Sequence, residues 1–375
     1  MKIIFTTDTI QRGGKERQLF VLTKALLDKG YQMRIITKRI SSDNYIYEYG
    51  LEKNLVIEIN GKGWVQKFKD FKKNILSYSP DIVISWDFQT SLFSIILYKK
   101  CNFKFINASI QHGIRLFRFS QLLRSLVCHF SPYIIANSYA GLKANNLKPG
   151  KHTFVLYNGI ENKFNNPLKP EGVYNKRTEL ISGYSEKPGT VYVSVANLIP
   201  YKDYVTVLMA LNKLKDQMSF YYFIIGDGPM RKKIVEVIKE YGLEKRVILT
   251  GKIENVSDYL FISDIMIHSS RGEGISNAIL EGMYARLPVI ATNVGGVPET
   301  VFPGSSLLFP YRDDKALLKC LLTAPEIFAD FNKDSEEYSK HLAKFSVETM
   351  VKSFEEIIDK VFNGSEVRSH KSEGF

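Results

Sequence analysis

The chain is poor in cysteine and tryptophan, with three cysteines and two tryptophans in 375 residues. Cys101, Cys128 and Cys320 are scattered, with neither disulfide-framework nor zinc spacing. That excludes a stapled secreted scaffold and fits a reducing cytosol with inert buried thiols. No apolar run approaches the length of a membrane span. The opening MKIIFTTDTI reads as a strand and a polar turn, without the apolar core of a signal peptide. No His, Asp or Glu cluster has metal-ligand spacing, so neither a metal nor another cofactor is expected. There is no internal repeat. The most informative absence is of acid: from Phe88 to Ile160 there is no Asp or Glu.

That gap sets the charge distribution. Residues 1–160 hold 24 Lys+Arg against 10 Asp+Glu, whereas the rest hold 27 against 29, so the net +12 lies in the first half. Basic residues in the acid-free stretch include Lys99, Lys100, Lys104, Arg115, Arg118, Arg124, Lys143, Lys148 and Lys151. Such a surface suits an anionic membrane, nucleic acid or an anionic substrate, and is otherwise a solvated face. No helix-turn-helix, RNP or zinc-finger signature is present, so nucleic acid is not expected. Within the stretch, Gly113 to Phe130 places Leu116, Phe119, Leu123, Leu126, Val127 and Phe130 on one helical face. Arg115, Arg118, Gln121 and Ser125 lie toward another. This is the pattern of an interfacial helix, or of an ordinary amphipathic one.

Elsewhere short apolar runs alternate with helical patterns. KIIFTT, MRIIT, LVIEI, DIVISW, FKFINASI and YIIANS read as strands in the first half. VYVSVANL, FYYFIIGDG, VILTG, IMIHSS and LPVIAT do so in the second. Lys15–Lys29, Asp203–Lys215 and Pro229–Tyr241 read as helices. The alternation predicts parallel sheets covered on both faces. A chain of this length predicts two domains, with the ligand in the cleft between them. The polar, Pro/Asn/Gly-rich stretch from Asn162 to Gly189 is the linker candidate.

The chemistry concentrates in SSRGEGISNAILEGMYARLPVIA, which carries Glu273 and Glu281. Ser276 is a good N-cap for NAILEGMYA. A helix N-terminus suits a phosphate, and Gly272 and Gly274 let backbone approach closely. Glu273 would lie beside whatever that phosphate carries, and Glu281 could take two sugar hydroxyls. The bland alternative is two surface glutamates on a capped helix.

The order of further motifs resembles the retaining glycosyltransferases of family 4. These are EGISNAILE, like that family's E-x7-E, then VANLIPYKDY, IIGDGPMRKKI, PVIATNVGGVPETV and GLKANNLKPGKHTFVLYNGI. The resemblance covers most of the chain. It implies an α/β fold of GT-B architecture, with two Rossmann-like doubly wound domains facing each other across a cleft. The expected division is an acceptor-binding domain over 1–165, a linker over 166–188 and a donor domain over 189–345. A helix over 346–362 would cross back to the first domain, followed by a disordered tail over 363–375.

Carried over by position, the resemblance gives the donor ribose to Glu281, the hexose hydroxyls to Glu273 and the diphosphate to Lys202. Gly274, Ile275, Ser276 and Asn277 form the donor-binding helix start. Gly226 and Gly228 shape the nucleotide pocket. Gly13 and Gly14 turn toward the donor phosphate, and His112 falls near the reacting centre. Glu16 reads as structural. Asn197 stands where the family usually has an Arg, leaving one cation fewer at the leaving group, with Arg271 and Lys252 as candidates to replace it. The implied reaction moves a hexose from a nucleotide sugar, UDP before GDP, with retention and without metal. The acceptor would be a glycan or a polyprenyl- or lipid-linked glycan of bacterial surface polysaccharide or lipopolysaccharide. The enzyme would be cytoplasmic and peripheral on an anionic inner membrane face. The competing readings are a nucleotide-sugar epimerase of the same architecture and a catalytically weak sugar-nucleotide binding protein.

Overall fold

The computed structural model describes residues 1–113, 118–161, 172, 175, 177–179 and 189–363. The chain divides into two compact units, Met1–Glu161 with Lys344–Phe375, and Asn162–Ala343.

The first unit is a seven-stranded parallel sheet ordered β3-β2-β1-β4-β5-β6-β7. Its strands are β1 (Lys2–Thr7), β2 (Gln32–Thr37), β3 (Val56–Glu58), β4 (Ile82–Ser85), β5 (Lys104–Ile110), β6 (Tyr133–Ala136) and β7 (Thr153–Val155). Helices Gly14–Asp28, Gly63–Tyr78, Phe88–Leu97, Arg118–Phe130 and Tyr139–Ala144 connect them. Every residue of β4 is buried, as expected of a strand covered on both faces. The helix Val347–Asn363 packs on this unit, burying Met350, Val351, Phe354, Ile357, Ile358 and Val361. Ser346 caps it by accepting from Thr349 N at 3.1 Å, and Ile160 N donates to Phe345 O at 2.8 Å.

The second unit is a six-stranded parallel sheet ordered β10-β9-β8-β11-β12-β13. Its strands are β8 (Thr190–Val195), β9 (Phe220–Ile225), β10 (Val247–Gly251), β11 (Ile265–His268), β12 (Val289–Thr292) and β13 (Ser306–Phe309). β9 and β12 are buried throughout. The Ser194 hydroxyl pairs with Tyr222 Oη at 2.7 Å and donates to Ile267 O, pinning β8 to both neighbours. The order reverses between β8 and β11, as it does between β1 and β4, and open α/β sheets bind ligands at such points.

Three expectations change. Strands β7 and β13 are additional to the runs read from the sequence. Only Cys128 is buried; Cys101, in the turn after Phe88–Leu97, and Cys320, midway along the helix Asp314–Ile327 at the margin of the core, are half-buried. Within the expected linker, Arg177 makes a two-pronged pair with Asp264 (2.8 Å to each oxygen) and donates to Gly189 O, so it is docked on the second unit. The rest of that linker and the tail from 364 lie outside the described residues, as do the side chains of Leu116 and Phe119.

Candidate functional site

The site forms where the second sheet reverses. Asp203 caps the helix Tyr204–Leu214, accepting from Thr206 N at 3.3 Å and Thr206 Oγ1 at 2.7 Å. This fixes the turn after β8 and Lys202 with it. Backbone bonds from Asp203 N to Ser269 O (3.0 Å) and Arg271 N to Tyr201 O (2.8 Å) tie that turn to the loop after β11. The same loop is anchored from β12, where Thr292 Oγ1 donates to Ser270 O at 2.9 Å.

Three side chains meet there. Lys202 Nζ pairs with Glu273 Oε1. His268, the last residue of β11, places Nε2 3.0 Å from that same oxygen and 3.3 Å from Lys202 Nζ. His268 is 3% exposed. Burial pushes the Glu273 carboxyl up, but the Lys202 ammonium and the His268 hydrogen bond outweigh it and hold the carboxyl well below its usual range. Burial and then the Lys202 ammonium push the His268 imidazole down, with Glu273 pulling the other way, so it is neutral. The ionised pair is thus Lys202 and Glu273.

The backbone of Glu273 is fixed separately. Its carbonyl accepts from Gly296 N at 3.0 Å. Gly295 adopts φ +52°, and a Cβ there would lie 2.1 Å from Glu273 O.

Ser276 occupies the N-cap position of the helix Asn277–Tyr284, but its hydroxyl makes no capping bond. It lies 3.5 Å from His268 Nε2 instead. The expected cap is therefore corrected: the Ser276 hydroxyl is turned toward the imidazole and does not cap the helix. Gly274, Ile275 and Glu281 are buried around this start, and Asn277 is half-buried.

Asn197 is exposed in the turn after β8. Gly226 and Gly228 pack against that turn. Gly226 has φ +141°, and a Cβ would fall 2.0 Å from Ala196 O; at Gly228 it would fall 2.6 Å from Leu198 O. Both glycines are required by backbone approach. Arg271 and Lys252 are exposed.

The remaining candidates belong to the first unit. Gly13 is the N-cap of the helix Gly14–Asp28 and makes no side-chain cap. The buried Glu16 carboxylate folds back so closely that a Cβ on Gly13 would lie 2.4 Å from it. His112 is exposed in the segment after β5. The structure thus joins Lys202, Glu273 and Ser276 through a residue not singled out from the sequence, His268. The available signal was a polar residue closing an otherwise apolar strand, immediately before the glutamate loop.

Two doubly wound parallel units, one with an ammonium–carboxylate pair at its reversal point, define the GT-B class of α/β protein. Residues 177–341 match the family model for glycosyl transferases group 1. The chain is 32% identical over 166 residues to N-acetyl-alpha-D-glucosaminyl L-malate synthase of Bacillus anthracis, covering 43% of this chain and 40% of that protein. It is 22% identical over 322 residues to the lipopolysaccharide core biosynthesis glycosyltransferase LpsD of Rhizobium meliloti, covering 85% and 83%. The chain spans about half the length of the first curated relatives it matches. In fold it is similar to Anabaena HepE, solved in complex with UDP-glucose, with TM-score 0.79, 20% identity and coverage of 96% of this chain and 99% of that one.

Proposed function

We propose that the chain transfers a hexose-type sugar from a nucleotide-sugar donor to a glycan or polyprenyl- or lipid-linked acceptor of bacterial surface polysaccharide or lipopolysaccharide. Transfer retains the anomeric configuration and needs no metal. The observation that carries this reading is the Lys202–Glu273 pair at the β8/β11 reversal, beside the start of the helix Asn277–Tyr284. Lys202 and the helix end meet the diphosphate, taking the charge that a metal otherwise takes. Glu273 meets the hexose hydroxyls and Glu281 the ribose. The anomeric carbon–phosphate oxygen bond breaks, the acceptor oxygen bonds on the same face, and its proton passes to the leaving phosphate. Glu273 stays ionised without acting as nucleophile. A UDP-sugar is favoured over a GDP-sugar, in keeping with the ligand of HepE.

The test is a thermal-shift screen with UDP-, GDP-, ADP- and dTDP-sugars, on the parent and on Glu281→Ala. At a hundred times its dissociation constant, one class should add about 2.7 kcal/mol, a rise of a few degrees. Glu281→Ala should lose that rise. No shift from any donor sinks the proposal. Asn197 favours a second reading, a weak sugar-nucleotide binding protein; binding without turnover on any acceptor would select it.

No described helix is long and apolar enough to cross a membrane. A lipid-linked acceptor would instead be met at the helix Arg118–Phe130. There Val127 and Cys128 face the core, while Leu122 (57%), Leu123 (37%), Leu126 (46%) and Phe130 (61%) are exposed. Set in the acid-free stretch, this face suits peripheral binding to an anionic cytoplasmic leaflet. Vesicles of phosphatidylcholine with added phosphatidylglycerol should co-sediment the protein in a salt-sensitive way. Indifference to the anionic lipid rejects the surface.

A further inference from the structure

Glu273 is held through one oxygen. Oε1 carries both polar contacts, with Lys202 Nζ and with His268 Nε2 at 3.0 Å, while Oε2 makes no hydrogen bond or ion pair with a described residue. Lys202 therefore has two tasks on the functional reading above, on which this inference rests. It must hold Glu273, and it must meet the donor diphosphate. A diphosphate competes with Oε1 for the ammonium. Once Lys202 turns to it, the remaining donor to Oε1 is His268. A carboxylate with no donor is free to rotate, and Oε2 loses its aim.

We propose that His268 is a positioning residue whose Nε2–H fixes Glu273 Oε1, so that Lys202 can serve the diphosphate while Oε2 stays directed at the hexose hydroxyls.

The surroundings agree with this role. His268 closes β11, whose backbone is set by the sheet, so its ring has a rigid mount. It is too buried to touch a ligand directly. The Ser276 hydroxyl at 3.5 Å supports the ring from the side of the helix start. With Glu273 ionised, the hydrogen must sit on Nε2, since a bare ring nitrogen would face a carboxylate lone pair. Lys202 Nζ, 3.3 Å from that nitrogen, then donates to Oε1 and not to the ring.

The test compares the parent with His268→Gln and His268→Leu for binding of UDP, UDP-glucose and UDP-N-acetylglucosamine by calorimetry. The readout is the sugar increment, the affinity ratio of each UDP-sugar to UDP. Gln places an amide N–H where Nε2–H lies; Leu does not. His268→Leu should hold UDP within about twofold and lose about tenfold of the sugar increment, the usual weight of a hydrogen bond to a charged group. His268→Gln should recover most of it. A merely structural histidine would instead weaken UDP and UDP-sugar alike. If the parent shows an increment and His268→Leu keeps it, the inference fails alone. If the parent binds none of the three, the donor reading fails and the inference with it. Should His268→Leu not fold, His268→Asn takes its place, because its shorter amide cannot reach Oε1.

Discussion

The two sheets reverse their strand order in the same way, yet their reversal points are chemically opposite. At β1/β4, Lys15 Nζ sits 2.6 Å from Asp8 and 3.5 Å from Glu16. Both nearby helix starts already carry an acid. Asp87 caps Phe88–Leu97, accepting from Gln89 N at 2.8 Å and Thr90 N at 3.1 Å, and Glu16 folds over Gly13. At β8/β11 one lysine faces one carboxylate; Asp203 caps the helix Tyr204–Leu214, but Ser276 makes no capping bond at the helix Asn277–Tyr284. A phosphate arriving at the first point meets three carboxylates, one of which already holds the N–H groups of Gln89 and Thr90. At the second it meets one ammonium against one carboxylate, beside a helix that its N-cap serine does not cap. Fold supplies two candidate anion sites, and side chains close one of them.

The comparison is broken most directly by removing each lysine. Lys202→Met leaves Glu273 buried without its cation. Such half-removal of a buried pair costs about 3–5 kcal/mol. If Lys202 meets the diphosphate as proposed, losing its charge should lower turnover about 100- to 1,000-fold. Lys15→Met costs about 1 kcal/mol or less at the partly exposed Asp8 and more at the buried Glu16, so the expected contrast is in nucleotide affinity, which Lys15→Met should leave unchanged. Urea midpoints and UDP-sugar titration check both. Equal losses of nucleotide affinity would erase the distinction between the two points.

Acid separates them by sign. A carboxyl whose pKa is depressed on folding adds stability above its unfolded value and loses it as pH falls through the folded one. Glu273 is that case. Asp87 is the reverse: burial raises it above the usual value despite its hydrogen bonds to Thr90. Its burial costs stability at neutral pH, and the cost is relieved as pH falls through the raised value toward about 3.9. Glu273→Gln should flatten the loss of stability below about pH 4.3. Asp87→Asn should remove a slope of opposite direction. Urea midpoints across the acid range would show two parallel changes if the assignment is wrong.

Backbone adds a smaller contrast. Gly295 and Gly50 both have positive φ, at +52° and +60°, but a Cβ on Gly50 meets nothing within 4 Å. Gly50→Ala should cost about 1 kcal/mol, the left-handed penalty alone. Gly295→Ala should cost about 2–3 kcal/mol and also lower donor affinity, because the displaced atom is the carbonyl of Glu273. A Gly295→Ala variant that loses stability and keeps donor affinity would separate that loop from the site.

What could be read from the sequence follows from how each signal is made. Continuous apolar runs such as FYYFII show a buried parallel strand directly, because both faces are covered. TFV and SLLF became β7 and β13, each at one end of its sheet. They are too short, and too little buried, to stand out from loop. Glu273, Glu281 and Lys202 were found by spacing and family likeness, which record residue type and order. His268 and Gly295 were not, since their importance lies in distances. A histidine in IMIHSS and a glycine in NVGG acquire a role only when the β11 and β12 loops are folded onto Glu273.

The smallest expected difference tests the correction at Ser276. Removing a working N-cap serine costs about 1 kcal/mol. Ser138 is such a cap, accepting from Gly141 N at 3.0 Å, and Ser138→Ala should show that loss. Ser276 makes no capping bond, so Ser276→Ala should cost less than half as much, about 0.5 kcal/mol or below. Any effect it does have should be on the sugar increment, through the ring of His268, and not on stability. Paired chemical denaturation of the two variants decides this. A full capping loss at Ser276 would mean that the hydroxyl does serve the helix in solution. The helix start would then be closed to a phosphate, as the one behind Asp87 already is.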